Sequence, residues 1–198
     1  YSPNAGWADY YGNEDFFKAY PNDDRKEWNY MTEWKIKSGE IIPYTESADK
    51  LPAISKYYDY DEGAPGKSAQ SNGITCIYRY AEVLLMYAEA STRATNTVNQ
   101  DALNAIQEVQ KRAGYQDRQI ELTTTTEPTA FLAAVSNERG WEFFAEMKRW
   151  FELVRLEKVK EVRAEEWDAS TFNTNHHYYF PVPYQQVDLA GWTNNAGY

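Results

Sequence analysis

Residues 75–93, TCIYRYAEVLLMYAEASTR, run without Gly or Pro and repeat apolar positions at helical spacing. Ile77, Ala81, Leu84 and Ala88 form one stripe; Tyr80, Val83 and Tyr87 form a second. A helix apolar on most of its circumference belongs in the middle of a bundle. Thr97 and Gln100 fit a capping box, and a second helix then runs to Ala113 with Leu103, Ile106 and Val109 turned inward. Lys111 and Arg112 suit its negative end and Gly114 its stop. The pair has the dimensions of a tetratricopeptide-like helix hairpin. After a polar connection over 117–127, Pro128 fits the first turn of a third helix. That helix is expected to run into the 140s or 150s, with a break near Gly140.

The flanking texture differs. Residues 1–73 are punctuated by Gly and Pro and read as irregular. One strand pair is expected inside them. Trp28, Tyr30, Thr32, Trp34 and Ile36 alternate, Ser38-Gly39 turns, and Ile41 and Ile42 return. Residues 62–72 read as an exposed loop and 157–175 as loop or short helix. Tyr178 to Pro183 is extended, because Pro181 and Pro183 forbid a helix, and the end from Tyr184 to Tyr198 reads as turns. The fold expected is mainly α: tetratricopeptide-like helix hairpins with a small β-hairpin and long ordered coil. Its two parts are 1–73, aromatic and irregular, and 74–198, helical.

Composition narrows the function classes. The 198 residues carry 20 Lys plus Arg against 30 Asp plus Glu, a formal charge of −10. That balance argues against nucleic acid, whose phosphates need a cationic face. No apolar run is long enough to span a bilayer. Cys76 is the lone cysteine, so no disulfide forms within the chain and no Cys-rich zinc site exists. It is expected to be a small buried hydrophobe at the start of the apolar helix. The chain opens at Tyr1 without an initiator Met, which fits a processed or truncated piece of something longer.

The candidate chemistry falls into four groups. Glu142 and Glu146 stand one helical turn apart, which can meet the roughly 5–9 Å separation of glycosidase carboxylates. Yet Glu138, Arg139, Glu142, Glu146, Arg149, Glu152 and Arg155 alternate in sign at helical spacing. An ion ladder, with Arg139 and Arg149 pairing the glutamates, accounts for the pattern without catalysis. His176 and His177 are adjacent, the wrong spacing for a helical metal site. Asp23, Asp24, Asp59, Asp61 and Glu62 are oxygen donors that match no EF-hand loop, and solvated acidic loops explain them. No motif for a phosphate or dinucleotide cofactor is present, and no cofactor or metal is expected.

The fourth group is aromatic. Trp, Tyr and Phe make 16% of the chain, too many for the core of so small a domain. Sugars present apolar C–H faces ringed by hydroxyls. An aromatic ring stacks on the face while Asp, Asn or Arg bonds the rim. Trp7, Tyr10, Tyr11, Trp28 and Trp34 stand among Asn4, Asp9, Asn13, Asp23, Asp24 and Arg25, the right mixture for that task. The same rings also serve as anchors that pin irregular chain onto helices, and both readings stay open.

Three stretches together resemble one family, the SusD/RagB-like outer-membrane glycan-binding proteins. They are YRYAEVLLMYAEA from Tyr78 to Ala90, AIQEVQKRAG from Ala105 to Gly114, and NERGWEFFAEMKRWFELVR from Asn137 to Arg155. The tail YYFPVPYQQVDLAGWTNNAGY is similar to the family ending, and Asp24-Arg25 resembles a family D-P-R stretch. Met147 stands where the family has Gly, with a changed packing distance expected there. Glu152 replaces Asp, Val187 follows Gln186 where Glu is commoner, and Asn195-Ala196 replaces Asn-Pro.

The resemblance implies a longer lipoprotein at the outer membrane, extracellular face, held only by an N-terminal lipid anchor that this chain does not include. It implies non-catalytic capture of an oligosaccharide or polysaccharide, and a SusC-like TonB-dependent transporter as partner. Arg79, Glu82, Glu89, Arg112, Glu138, Arg139, Glu142, Arg149 and Arg155 then read as scaffold. Two alternatives remain: a protein-interaction scaffold without sugar binding, and a glycoside hydrolase using Glu142 and Glu146.

Overall fold

The computed structural model describes residues 11–36, 38–57, 74, 76–162 and 178–198. The backbone divides into two units, 1–146 and 147–198. The texture boundary expected after residue 73 abuts 58–73, which lie outside the described residues.

The hairpin is the centre of the first unit. Helix α3 (Tyr80–Thr95) and helix α4 (Gln100–Arg112) face each other through Ala81, Leu85 and Ala88 on one side and Ala102, Leu103, Ala105, Ile106 and Val109 on the other. Phe131 and Val135 of α5 (Pro128–Glu142), with Phe143, close the cluster. The alanines let helix axes approach, and the larger side chains fill the seam. Burial of this kind stabilises by about 25 cal/mol per Å2 of apolar area.

Several local expectations change. Helix α3 begins at Tyr80 rather than near residue 75, because Arg79 at its N-cap is extended (φ −132°, ψ 157°). Cys76 therefore precedes the helix and is exposed, not buried. The inward stripe is Ala81, Leu85 and Ala88, while Ile77, Tyr80, Val83 and Tyr87 are exposed among the residues of this unit. Helix α3 ends on Asn96 in the left-handed region (φ 51°), a conformation Asn tolerates. The cap of α4 is Asn99, whose side chain accepts from the Ala102 N–H at 2.8 Å; Thr97 turns back to Thr95 instead.

Pro128 opens α5 as expected, and the Glu127 carboxylate caps it, accepting from the N–H groups of Ala130 and Thr129 at 2.6 and 3.0 Å. Those bonds hold the Glu127 carboxyl below its ordinary range. The helix passes through Gly140 and stops at Glu142. Residues 143–148 then turn, with Ala145 and Met147 at φ of about 60° and 59°.

The early segment contains more helix than its composition suggests. Helices α1 (Glu14–Ala19) and α2 (Asp24–Asn29) are capped by Asn13 and Asp23. Strand β1 (Tyr30–Met31) pairs antiparallel with β4 (Ala53–Ile54), and Tyr11 bridges to Ala53. Strand β2 (Glu33–Lys35) pairs with β3 (Ile41–Pro43), with Trp34 opposite Ile42, the hairpin the alternation predicts. Trp28 belongs to α2 rather than to a strand.

In the second unit, α6 (Arg149–Arg155) and α7 (Val159–Val162) are followed by 163–177, which lie outside the described residues and include His176 and His177. Residues 178–183 form no helix, as expected. The end is not all turn: α8 (Tyr184–Ala190) starts after Pro183, which as N-cap needs no N–H bond, and stops on Gly191 at φ 70°. Asn194 accepts from the Val182 N–H at 2.8 Å, and the Tyr198 hydroxyl donates to the Tyr179 carbonyl at 2.9 Å, folding the tail back on itself.

Candidate functional site

The carboxylates of α5 form one buried network with cations from elsewhere in the chain. Arg25 donates to Asp23 through Nε at 3.0 Å and, through Nη1, to Glu138 at 2.6 Å and Glu142 at 2.9 Å. The other Glu142 oxygen takes Arg79 Nη1 at 2.7 Å and Arg112 Nη2. Glu146 takes Arg79 Nη2 at 2.7 Å and Lys56 Nζ at 2.6 Å. Glu138 completes its second oxygen with the Tyr115 hydroxyl at 3.0 Å and Gln110 at 3.3 Å. The expected ladder along one helix is thus replaced by a tertiary cluster. Of its presumed cations, Arg139 reaches Glu82 at 3.5 Å and Arg149 reaches Glu152 at 3.3 Å.

Burial pushes the Glu142 carboxyl upward, but Arg112, Arg79 and Arg25 outweigh it and hold it below the ordinary range. Glu146 follows the same pattern with Arg79 and Lys56. For Glu138 burial prevails over Arg25, Tyr115 and Gln110, and its carboxyl is raised. A general acid or nucleophile needs an oxygen facing substrate. Each oxygen of Glu142 and Glu146 already accepts a cationic donor. The arrangement does the work of a clamp, joining α2, the segment before α3, and the ends of α4 and α5.

The start of α2 explains Gly114. Its φ of +84° suits glycine, and a Cβ there would lie 2.5 Å from Asp24 Oδ2. The Asp24 N–H meanwhile donates to the Ala113 carbonyl at 3.2 Å.

Many early rings prove to be anchors. Tyr30 packs on Phe144, Phe17 and Tyr20 with centroids 4.5, 4.8 and 5.7 Å away, and Phe16 stacks on Phe144 at 6.0 Å. The Tyr20 hydroxyl donates to the Trp141 carbonyl at 2.7 Å.

The five sugar-site candidates divide. Trp7 and Tyr10 lie outside the described residues. Trp34 is 5% exposed, because its position in β2 faces inward, and its ring has no face to offer a sugar. Tyr11 is half-buried, with burial and a hydrogen bond to Asp49 raising its phenol. Trp28 is 67% exposed.

Helix α2 places Arg25 and Asn29 inward, so Asp24 and Trp28, one turn apart, share its outer side. Arg118 Nε donates to Asp24 at 2.8 Å, and its Nη2 meets Glu27 at 2.8 Å. Below the ring the Trp28 carbonyl accepts from the Ser55 hydroxyl at 2.7 Å. The result is a solvent-facing indole on a held backbone, one turn from the Asp24 carboxylate, which with Glu27 binds Arg118.

The polar partners expected of the rings differ in fate. Asp23 and Arg25 are buried in the clamp, and Asp23 is no solvated acidic loop. Asp24 stays at the surface, and Arg118, not singled out from the sequence, joins it. Asp59, Asp61 and Glu62 lie outside the described residues, and among the described residues no group of His, Cys, Asp or Glu is arranged to hold a metal ion.

Residues 2–198 match the model of the SusD family. SusD-like protein P2 of Formosa agariphila is 28% identical over 200 residues, covering 91% of this chain and 39% of that protein. A SusD superfamily protein of Parabacteroides distasonis superposes with a TM-score of 0.71 and 26% identity, over 95% of this chain and 42% of that one. Surface glycan-binding protein A from Bacteroides uniformis superposes with a TM-score of 0.65 and 24% identity, over 93% of this chain and 40% of that one. The chain spans about two fifths of the length of these proteins. With its helical hairpin, its motif order and a family match over almost its whole length, the chain belongs to the SusD family.

Proposed function

We propose that this chain is part of a protein that captures an oligosaccharide or polysaccharide at the cell surface without a covalent step. It then passes the glycan to a SusC-like TonB-dependent transporter, from an outer membrane to which a lipid anchor outside this chain holds it. The observation that carries the reading is Trp28, an exposed indole one helical turn from Asp24, whose carboxylate stays at the surface and takes Arg118. Tyr11 and, by sequence position, Trp7 and Tyr10 belong to the same candidate set; Trp34 supports it from the interior. The name of the Bacteroides uniformis surface glycan-binding protein, which shares the fold, supports the ligand class.

The saturated Glu142 and Glu146 support binding over hydrolysis. Their oxygens are committed to Arg25, Arg79, Arg112 and Lys56, and a catalytic carboxylate so clamped neither donates a proton nor reaches an anomeric carbon.

Affinity electrophoresis of the full-length protein through gels containing different polysaccharides tests the proposal. Retardation by at least one neutral polysaccharide is expected, reduced in Trp28→Ala. Retardation equal in both proteins removes Trp28 from the site, and no retardation in any gel, or release of sugar from a chromogenic glycoside, overturns the reading.

A further inference from the structure

Tyr57 combines an open ring with a fixed tip. The residue is 48% exposed, yet its hydroxyl donates to the Ala145 carbonyl at 3.2 Å. The residue before it, Lys56, is tied to the Glu146 carboxylate at 2.6 Å and to the Glu142 carbonyl at 3.2 Å. Burial and Glu146 push the Tyr57 phenol up, while Arg79, close by, pulls it the other way. An anchor such as Tyr20 is 2% exposed and commits its whole surface to neighbours. Tyr57 commits only its hydroxyl and leaves about half of its surface in water. A side chain held in this way loses little freedom when a ligand arrives, and preorganisation of that kind favours binding.

The chain path joins this ring to Trp28. The Ser55 hydroxyl donates to the Trp28 carbonyl at 2.7 Å, and the Ser55 N–H donates to the Asn29 carbonyl at 2.9 Å. Tyr57 follows two residues later, at most about 7 Å of chain away. An exposed indole and an exposed phenol ring are therefore mounted on neighbouring pieces of held backbone. Lys56 adds a polar group beside the second ring. Its side chain is part-exposed, and an ammonium has one N–H beyond the two that Lys56 gives to Glu146 and Glu142.

We propose that Tyr57 is a second sugar-stacking ring, which continues the surface begun by Trp28. The proposal rests on the glycan reading and adds a residue to it. The contact is between the ring and the apolar C–H face of a sugar, with no covalent step. The hydroxyl takes no part in it, because Ala145 already holds it. Cys76 is exposed and close enough to act on the Tyr57 phenol, so a glycan lying over the ring shields the thiol.

Affinity electrophoresis of the full-length protein through gels of starch, laminarin, xylan and mannan tests the proposal, together with alkylation of Cys76 followed by peptide mass spectrometry. Tyr57→Ala is expected to lower affinity for a retaining polysaccharide by about three- to tenfold, and Tyr57→Phe by less than about twofold. Cys76 of the unmutated protein is expected to be alkylated more slowly when that polysaccharide is bound. Unchanged affinity in Tyr57→Ala would overturn the proposal. So would a loss in Tyr57→Phe as large as in Tyr57→Ala, which assigns the residue to the fold, and so would alkylation of Cys76 indifferent to the polysaccharide. Each of these leaves the Trp28 reading standing, whereas retention in none of the gels overturns both. Should Tyr57→Ala fail to fold, the thiol of the unmutated protein decides.

Discussion

Two regions of this chain reverse the usual sorting of polar inside from apolar outside. At the junction of α2, α4 and α5 the interior is ionic: the buried carboxylates of Asp23, Glu138, Glu142 and Glu146 meet buried Arg25, part-buried Arg79 and Lys56, and Arg112 reaching in from the surface. On the outer face of α3 the surface is apolar and uncharged. The ionic junction is complete, since every carboxylate in it has its cations within the chain. The apolar face is open to solvent at Tyr80, Val83 and Tyr87 among the described residues of its unit. A buried charge demands its partner at once, because leaving it unpaired costs several kcal/mol. An apolar face can wait for a later element. The same physics separates the clamp, which belongs to the scaffold, from Trp28, which faces water with a polar rim beside it.

Breaking the clamp has the largest expected effect. Arg25→Met leaves Asp23, Glu138 and Glu142 short of a cation in a buried place, and urea unfolding should show a loss of about 3–5 kcal/mol. A loss no larger than that of an exposed ion pair would remove the distinction between the clamp and the surface. Gly114→Ala comes next. It forces a left-handed φ and a contact with the Asp24 carboxylate, a cost of about 1–3 kcal/mol. Adding Asp24→Ala should recover the steric part alone.

Acid sharpens the picture. Glu142 and Glu146 titrate below their unfolded values, so they contribute stability above the unfolded pKa of about 4.3 that is lost as pH falls through their folded values. Glu138, raised by burial, contributes with the opposite sign and offsets part of the loss. Melting temperature followed downward from neutrality should fall below about pH 4, and less steeply in Glu146→Gln. Equal slopes would mean that Glu146 is not held by its cations.

A smaller effect of opposite sign is expected at Met147. Its side chain is 88% exposed and its φ is 59°, so the position favours glycine for its backbone and sets no packing distance. Met147→Gly should raise stability by about 0.5–1 kcal/mol in the same urea measurement.

Legibility from the sequence followed the range of each interaction. The α3–α4 hairpin was readable because its period of 3.6, its Gly114 stop and Pro128 are all local signals. The β2–β3 pair was readable from alternation around Ser38-Gly39. The clamp was not, because Arg25 and Glu138 are 113 residues apart and nothing in either neighbourhood names the other. Its visible trace was the pairing of Asp23 with Arg25 ahead of a short charged run, which also marks the cap of α2. Trp28 and Trp34 look alike in the sequence. One sits on the outer side of a six-residue helix and the other on the inner side of a strand, and that difference is set by tertiary packing. The outward face of α3 was read as bundle interior, whereas Tyr80, Val83 and Tyr87 are exposed, because apolar composition alone does not say which side of a helix finds a neighbour.

The central claim is that exposed rings hold glycan while the α5 carboxylates hold the fold. Calorimetric titration of a retained polysaccharide into the full-length protein and its Trp28→Ala variant, with melting temperatures taken on the same samples, tests it most directly. The account predicts affinity lower by about tenfold, or about 1.4 kcal/mol, in the variant at an unchanged melting temperature. Equal affinity in both proteins, or a variant that binds weakly only because it melts earlier, would contradict it.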